Sequence, residues 1–206
     1  LKSIKYMPNH YLPIPTAQEF ITNTFVAVGV PKDDAMVVAN LMLQSDLAGA
    51  DGHGIFRLPA YVKRIKAGGI NLHPNIRLER EQGAVTLING DNALGHLVMS
   101  KAVKTAKSKV KQFGVVWVGS HFGNHSGAAS VYVRELAEAG YIGIYMAVGN
   151  ANHMAPWGGI DLLLSTNPIA IAVPAEAHPI VLLDMATTVA AYGKVKLAAQ
   201  DRKSTR

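Results

Sequence analysis

Residues 115–147, VVWVGSHFGNHSGAASVYVRELAEAGYIGIYMA, decide the fold. A short apolar run of buried-strand type, Val115 to Val118, leads into a loop rich in glycine and histidine. Helical spacing takes over from Ser130 to Ala139, and a second strand is predicted from Tyr141 to Ala147. This order of strand, helix and strand argues for an α/β sheet covered by helices, in which ligands gather at the carboxyl ends of strands.

The pattern continues in both directions. Downstream, Ile169 to Val173 and Ile180 to Leu183 read as further strands. Upstream, the runs Ile76-Arg77-Leu78-Glu79 and Val85-Thr86-Leu87-Ile88 alternate or stay short, with Asn89-Gly90 as the turn that closes them. The first part of the chain is helical instead. Thr16 and Glu19 have capping-box spacing at the head of an apolar run that stops at Gly29. Pro31 suits the first turn of a second helix, carrying Ala35, Val38, Leu41 and Met42 to near Gly49. A third follows Pro59 and ends at Gly68-Gly69. The expected organisation is a helical segment over residues 1–75, an α/β unit over 76–195 and a polar tail over 196–206. The initial leucine and the closing Asp201-Arg202-Lys203-Ser204-Thr205-Arg206 read as the ends of a fragment.

With 49% apolar and 17% charged residues, the chain has the balance of a packed protein rather than a disordered one. The absence of cysteine excludes disulfides, thiolate zinc sites and thiol nucleophiles. No apolar run approaches the roughly 18–20 residues that span a bilayer, and no secretory segment is read, so a cytoplasmic protein without a membrane partner is expected. The net charge of +6 includes five lysines between Lys101 and Lys111. Lys101, Lys104, Lys107 and Lys111 share one helical face opposite Ala102, Val103, Ala106 and Val110, and no aromatic residue interleaves them. A solvated helix face is expected rather than a nucleic-acid site, with the excess charge free to steer anionic ligands.

Three loops collect polar residues among glycines. In Asp46 to Arg57, His53 and Arg57 stand four apart. An imidazole can exchange the proton that accompanies hydride transfer to a ketone, and a guanidinium can clamp a carboxylate with two parallel hydrogen bonds. A helix connection with a surface histidine is the plainer reading of the same residues. In Ser120 to Gly127, His121 and His125 have a spacing that would suit zinc on a helix, but Gly123 and Gly127 argue for a loop and Phe122 replaces the glutamate of a zincin motif, so no metal is expected. The third stretch, Gly149 to Gly159 followed by Ser165-Thr166-Asn167-Pro168, can present backbone donors to a ligand or simply turn. Asp184, at the end of an apolar run, can orient a histidine, bind a ribose hydroxyl or cap a helix after Thr187. A G-x-G-x-x-G fingerprint, a Walker A lysine and a G-x-S-x-G elbow are all missing.

Together, SDLAGADGHGIFRLPAY, the His121-Phe122-Gly123 loop, APWGG, STNP and LDMATT resemble, in order and spacing, the type 2 malate/L-lactate dehydrogenase family, from about Thr16 to Lys194. The resemblance implies a non-Rossmann nicotinamide-binding fold of the sulfolactate dehydrogenase-like type, a mixed sheet preceded by the helical segment. It also implies NAD or NADP as cofactor, a small 2-oxo or 2-hydroxy acid as substrate, and a homodimer. By resemblance His53 is the proton donor, Arg57 the carboxylate-side cation, and Asp184 lies near acid and cofactor. His121 and His125 line the same cleft. Gly123, Ser126, Asn150, Thr166, Asn167, Pro168 and the run Asp184, Met185, Ala186, Thr187 lie along the cofactor. Gly52 stands where the family usually has serine, which makes His125 a rival to His53 as acid–base. The expected activity is hydride transfer between nicotinamide and a malate- or lactate-like acid; the alternative is an inactive fragment of such an enzyme serving in binding or assembly.

Overall fold

The structure, a computed structural model, describes residues 11–149 and 152–189. Three helices come first: α1 (Ile14–Ala27), α2 (Lys32–Leu47) and α3 (Leu58–Lys66), with two single 3₁₀ turns, Asp51–His53 and Ile55–Arg57, between α2 and α3. Then follow β1 (Arg77–Gln82), β2 (Val85–Ala93), α4 (Gly95–Phe113), β3 (Trp117–Gly123), α5 (Ser130–Glu138), β4 (Gly143–Met146), β5 (Ile169–Val173) and β6 (Val181–Met185).

The strands form two sheets of three. In β1-β2-β3 the first pair is antiparallel and the second parallel; β4-β5-β6 is antiparallel throughout. Helix α4 lies on the first sheet through Val98 and Ala102 against Ile88. Helix α5 lies on the second through Val133 and Ala137 against Ala170 and Ala172, whose small side chains let helix and strand approach closely. Leu41 of α2 meets Val103, Val131 and Tyr132, which ties the two helix-on-sheet layers together. Ile21, Phe25, Val38, Met42, Tyr61 and Ile65 form a separate core among α1, α2 and α3.

The two-residue period of strands sets the other face of β4-β5-β6. Ile144 pairs with Ile171 and Ile171 with Leu183, while Met146 pairs with Ile169 and Ile169 with Met185. Ile144, Met146, Val181, Leu183 and Met185 are exposed, so this apolar face is open among the described residues.

Several local expectations change. Helix α1 starts before Thr16, with Pro13 as N-cap and no side-chain cap, so the capping box does not form. Proline in the first turn forfeits no hydrogen bond, which lets Ile14 and Pro15 enter the helix. Pro31 is likewise the N-cap of α2 rather than its first turn. Asn89-Gly90 lies inside β2, and the chain reverses at Gly83, whose φ is +55°. Gly90 serves close packing instead, since a Cβ there would come within 2.8 Å of the Phe122 carbonyl. The predicted strand at Val115 shifts onward to Trp117–Gly123, taking His121 out of the loop and leaving Val115 80% exposed.

Candidate active site

The loop from Asp46 to Arg57 is fixed by one carboxylate. Asp46 Oδ2 accepts the Ile55 N–H at 2.9 Å, and a Cβ on Gly54 would fall inside the same carboxylate. This pins both 3₁₀ turns, and with them His53 and Arg57. The Arg57 Nε–H donates to the Gly52 carbonyl at 2.9 Å, which orients the fork of its two terminal nitrogens. Gly52 thus enters the site through its backbone.

His53 stacks on His125, with ring centroids 5.7 Å apart and planes within 7°. His125 follows β3, where Asn124 anchors the chain: its Nδ2 donates to the Asn92 and Ala93 carbonyls, and Arg64 Nε donates to its Oδ1. The His125 Nδ1 receives the Gly127 N–H at 3.3 Å and lies 2.6 Å from the Tyr61 hydroxyl. A backbone N–H can only donate, so Nδ1 is an acceptor and Tyr61 donates too, its phenol held protonated by burial. Neutral His125 therefore carries its proton on Nε2. Behind this pair lies His96 of α4, 1% exposed, its ring edge-on to Tyr61 with centroids 5.5 Å apart.

Three imidazoles and a guanidinium share this space, and none of the imidazoles gains a proton easily. Desolvation first, then Arg57, His53 and His96, push His125 down to about 3; it keeps an exposed edge but protein surrounds it on most sides. Desolvation and then His53 push His96 down to about 3. His53 is lowered by desolvation and by Arg57, while the Asp184 carboxylate raises it in opposition. His53 is the member of the cluster whose proton affinity an acidic neighbour supports.

Asp184, on β6, accepts the Ser130 N–H at 2.8 Å at the first turn of α5, while the stretch after Thr187 that it was expected to cap lies largely outside the described residues. The nicotinamide-side candidates meet beyond it. Thr187 donates through its N–H to the Thr166 carbonyl at 3.0 Å and through its hydroxyl to the Asn167 carbonyl at 3.0 Å. Asn167 Oδ1 accepts the Gly149 N–H at 2.9 Å, and a Cβ on Gly149 would strike Ser165. Thr166, Asn167, Pro168, Met185, Ala186 and Thr187 thus form one ledge continuous with Asp184. Ser126 is bound into the interior: its hydroxyl meets that of Tyr145 at 3.0 Å and its carbonyl accepts from Tyr132. Gly123 ends β3 against Val98. His121 pairs with Glu79 at 2.7 Å on the β1-β2-β3 sheet, apart from the stacked histidines. Asn150 lies outside the described residues. Among the described residues no group of three or more His, Asp or Glu side chains is placed to hold a metal.

Tyr61, His96 and Asn124 do not stand out in the sequence. Tyr61 carries a usable signal, one helical turn beyond Arg57. His96 is a lone polar residue in the apolar run Ala93-Leu94-Gly95-His96-Leu97-Val98.

The chain belongs to the malate/L-lactate dehydrogenase family, whose model matches residues 12–205. It is 41% identical over 194 residues to the malate dehydrogenase of Pyrococcus horikoshii, covering 93% of this chain and 53% of that protein. It is 37% identical over 180 residues to the ureidoglycolate dehydrogenase (NAD(+)) of Escherichia coli K12, covering 87% of this chain and 51% of the relative. The solved P. horikoshii malate dehydrogenase superposes with a TM-score of 0.86 at 40% identity, over 91% of this chain and 53% of that one. The sulfolactate dehydrogenase from Methanocaldococcus jannaschii gives 0.85 at 36%, over 93% and 55%. The fold is the expected sulfolactate dehydrogenase-like α/β type with helices ahead of the sheets. The chain spans about half the length of the relatives it matches.

Proposed function

We propose that this chain supplies the acid–base and carboxylate-binding side of an oxidoreductase that moves a hydride between a nicotinamide and a small 2-hydroxy or 2-oxo acid of the malate or lactate kind. The observation that carries the reading is His53 stacked on His125 beside Arg57, within the field of Asp184. Arg57 takes the substrate carboxylate in its fork. His53, neutral near pH 7 because its affinity is lowered, accepts the hydroxyl proton during oxidation and returns it during reduction. His125 stays neutral and offers its Nε2–H to the substrate oxygen, favouring negative charge there without competing for the proton.

NAD or NADP, when bound, accepts or donates the hydride. The ledge of Thr166, Asn167, Pro168 and Asp184 to Thr187 is assigned to it, since it offers uncharged polar groups and backbone beside a single carboxylate. The division into a helical segment over residues 1–75 and an α/β unit over 76–195, and assembly as a homodimer, belong to the same reading. A second reading, an inactive binding or assembly protein, draws on the open apolar face of β4-β5-β6.

Titration of the purified chain with NADH and NADPH, followed by fluorescence, tests the assignment. Saturable binding, retained in His53→Ala while turnover of 2-oxo acids is lost, is expected. A folded chain that binds neither nucleotide selects the second reading.

A further inference from the structure

We propose that His96 is a positioning residue: its buried ring holds the two donors that fix the tautomer of His125. The His125 Nδ1 is met by the Tyr61 hydroxyl at 2.6 Å and the Gly127 N–H at 3.3 Å, and His96 touches both donor residues. Its ring edge meets the Tyr61 ring at an interplanar angle of 81°. Its Nε2 sits 2.7 Å from where a Cβ on Gly127 would project, so it packs against the bare Cα of that residue. Gly127 also has a φ of +78°, the left-handed region that glycine accepts, so the turn delivering its N–H favours glycine there, with the His96 ring lying against it.

Neither ring nitrogen of His96 has a hydrogen-bond partner among the described residues. Burying such a group is costly, and an apolar side chain of the same shape would pack at lower cost. Its place between Tyr61 and Gly127 gives the imidazole a use that bulk packing does not. A flat five-membered ring fits under the glycine turn while presenting an edge to the phenol. Burial keeps it neutral, so it adds no charge beside His53 and His125. The consequence is directional: with Nδ1 occupied by two donors, His125 holds its proton on Nε2 and presents it outward. That this proton meets a substrate oxygen rests on the proposed function; the tautomer does not.

The test is therefore run without nucleotide or acid. Side-chain ¹⁵N NMR of the full chain with labelled histidine reads each tautomer directly, with His125 assigned by its loss in His125→Gln. In the parent chain His125 is expected as the Nε2–H form near pH 7.5, and an Nδ1–H form there overturns the proposal whatever any variant does. In His96→Leu the tautomer ratio is expected to move toward Nδ1–H by about fivefold or more, the effect of losing one net hydrogen bond. The His125 pKa should rise toward its ordinary value at the same time. A folded leucine variant with the parent ratio and titration overturns it. His96→Phe separates the two contacts: an unchanged ratio assigns the effect to the ring edge on Tyr61, and a shifted one adds the fit under Gly127. Absence of nucleotide binding by the parent chain would remove the proposed function and leave these spectra as they are.

Discussion

Substituting Gly54 by alanine should uncouple the site loop from the rest of the protein. The added methyl falls inside the Asp46 carboxylate, so that side chain must leave the Ile55 N–H it accepts at 2.9 Å. A hydrogen bond to a charged group in a half-buried setting contributes about 1.5–3 kcal/mol. Gly54→Ala should therefore cost about 2–3 kcal/mol, and Asp46→Ala about 2 kcal/mol by removing the same bond. The double variant has neither clash nor bond to lose, so it should cost about as much as Asp46→Ala alone. The resulting coupling is on the order of 2 kcal/mol, well above the few tenths expected of independent sites. Urea unfolding of the four chains measures it. Additive costs would show that the carboxylate does not hold the loop, and the placement of His53 and Arg57 would need another anchor.

Two further predictions concern stability. Lys109, its side chain only 13% exposed, bonds both Glu81 and Thr86 at 2.9 Å, so Lys109→Met should cost about 1–2 kcal/mol. Lys107→Met should cost under about 0.5 kcal/mol, because its pair with Glu135 is exposed on both sides; equal urea midpoints for the two variants would contradict this. Acid should also weaken the fold. His96 is held down to about 3 from an ordinary 6.5, so the unfolded chain binds the extra proton between those values. Its contribution is complete above the ordinary value and drains as pH falls toward the lower one, at up to about 1.4 kcal/mol per pH unit. Near pH 5 that amounts to about 2 kcal/mol, and exposed His125 adds less. Unfolding at pH 7.5 and 5 should depend less on pH in His96→Phe than in the parent, and an unchanged dependence would refute the assignment.

The helices and later strands were legible because each carries its own period. Ile169–Val173 is bounded as the alternation predicts, and α5 begins at Ser130. The features that escaped sequence reading depend on contacts between distant segments. Gly90 resembles a turn glycine, but its role is set by the backbone of β3 and by α4 packed over it. The Val115 run looks like a buried strand, yet the paired register starts at Trp117 opposite Val85. At the site, His53 and Arg57 are local neighbours and readable together. Tyr61 meeting His125, and His96 filling the space behind them, require α3, α4 and the loop after β3 to be assembled first.

Electrostatics then divides roles that residue types leave equal. Three histidines stand around one guanidinium, and charging any of them opposes charging the others, because each lies in a site that already penalises protonation. Among the described residues, His53 alone of the three has a carboxylate acting on it, so a proton arriving in this cluster is best tolerated there. His96 is sealed in the core, and the inner nitrogen of His125 is committed to Tyr61 and Gly127. Asp184 has a second, structural commitment to the first turn of α5, so its carboxylate is held in place by the fold rather than by His53. A carboxylate fixed independently of the imidazole it supports keeps the same field whether His53 is protonated or not, which is what the proposed use of His53 in both directions of a hydride transfer requires.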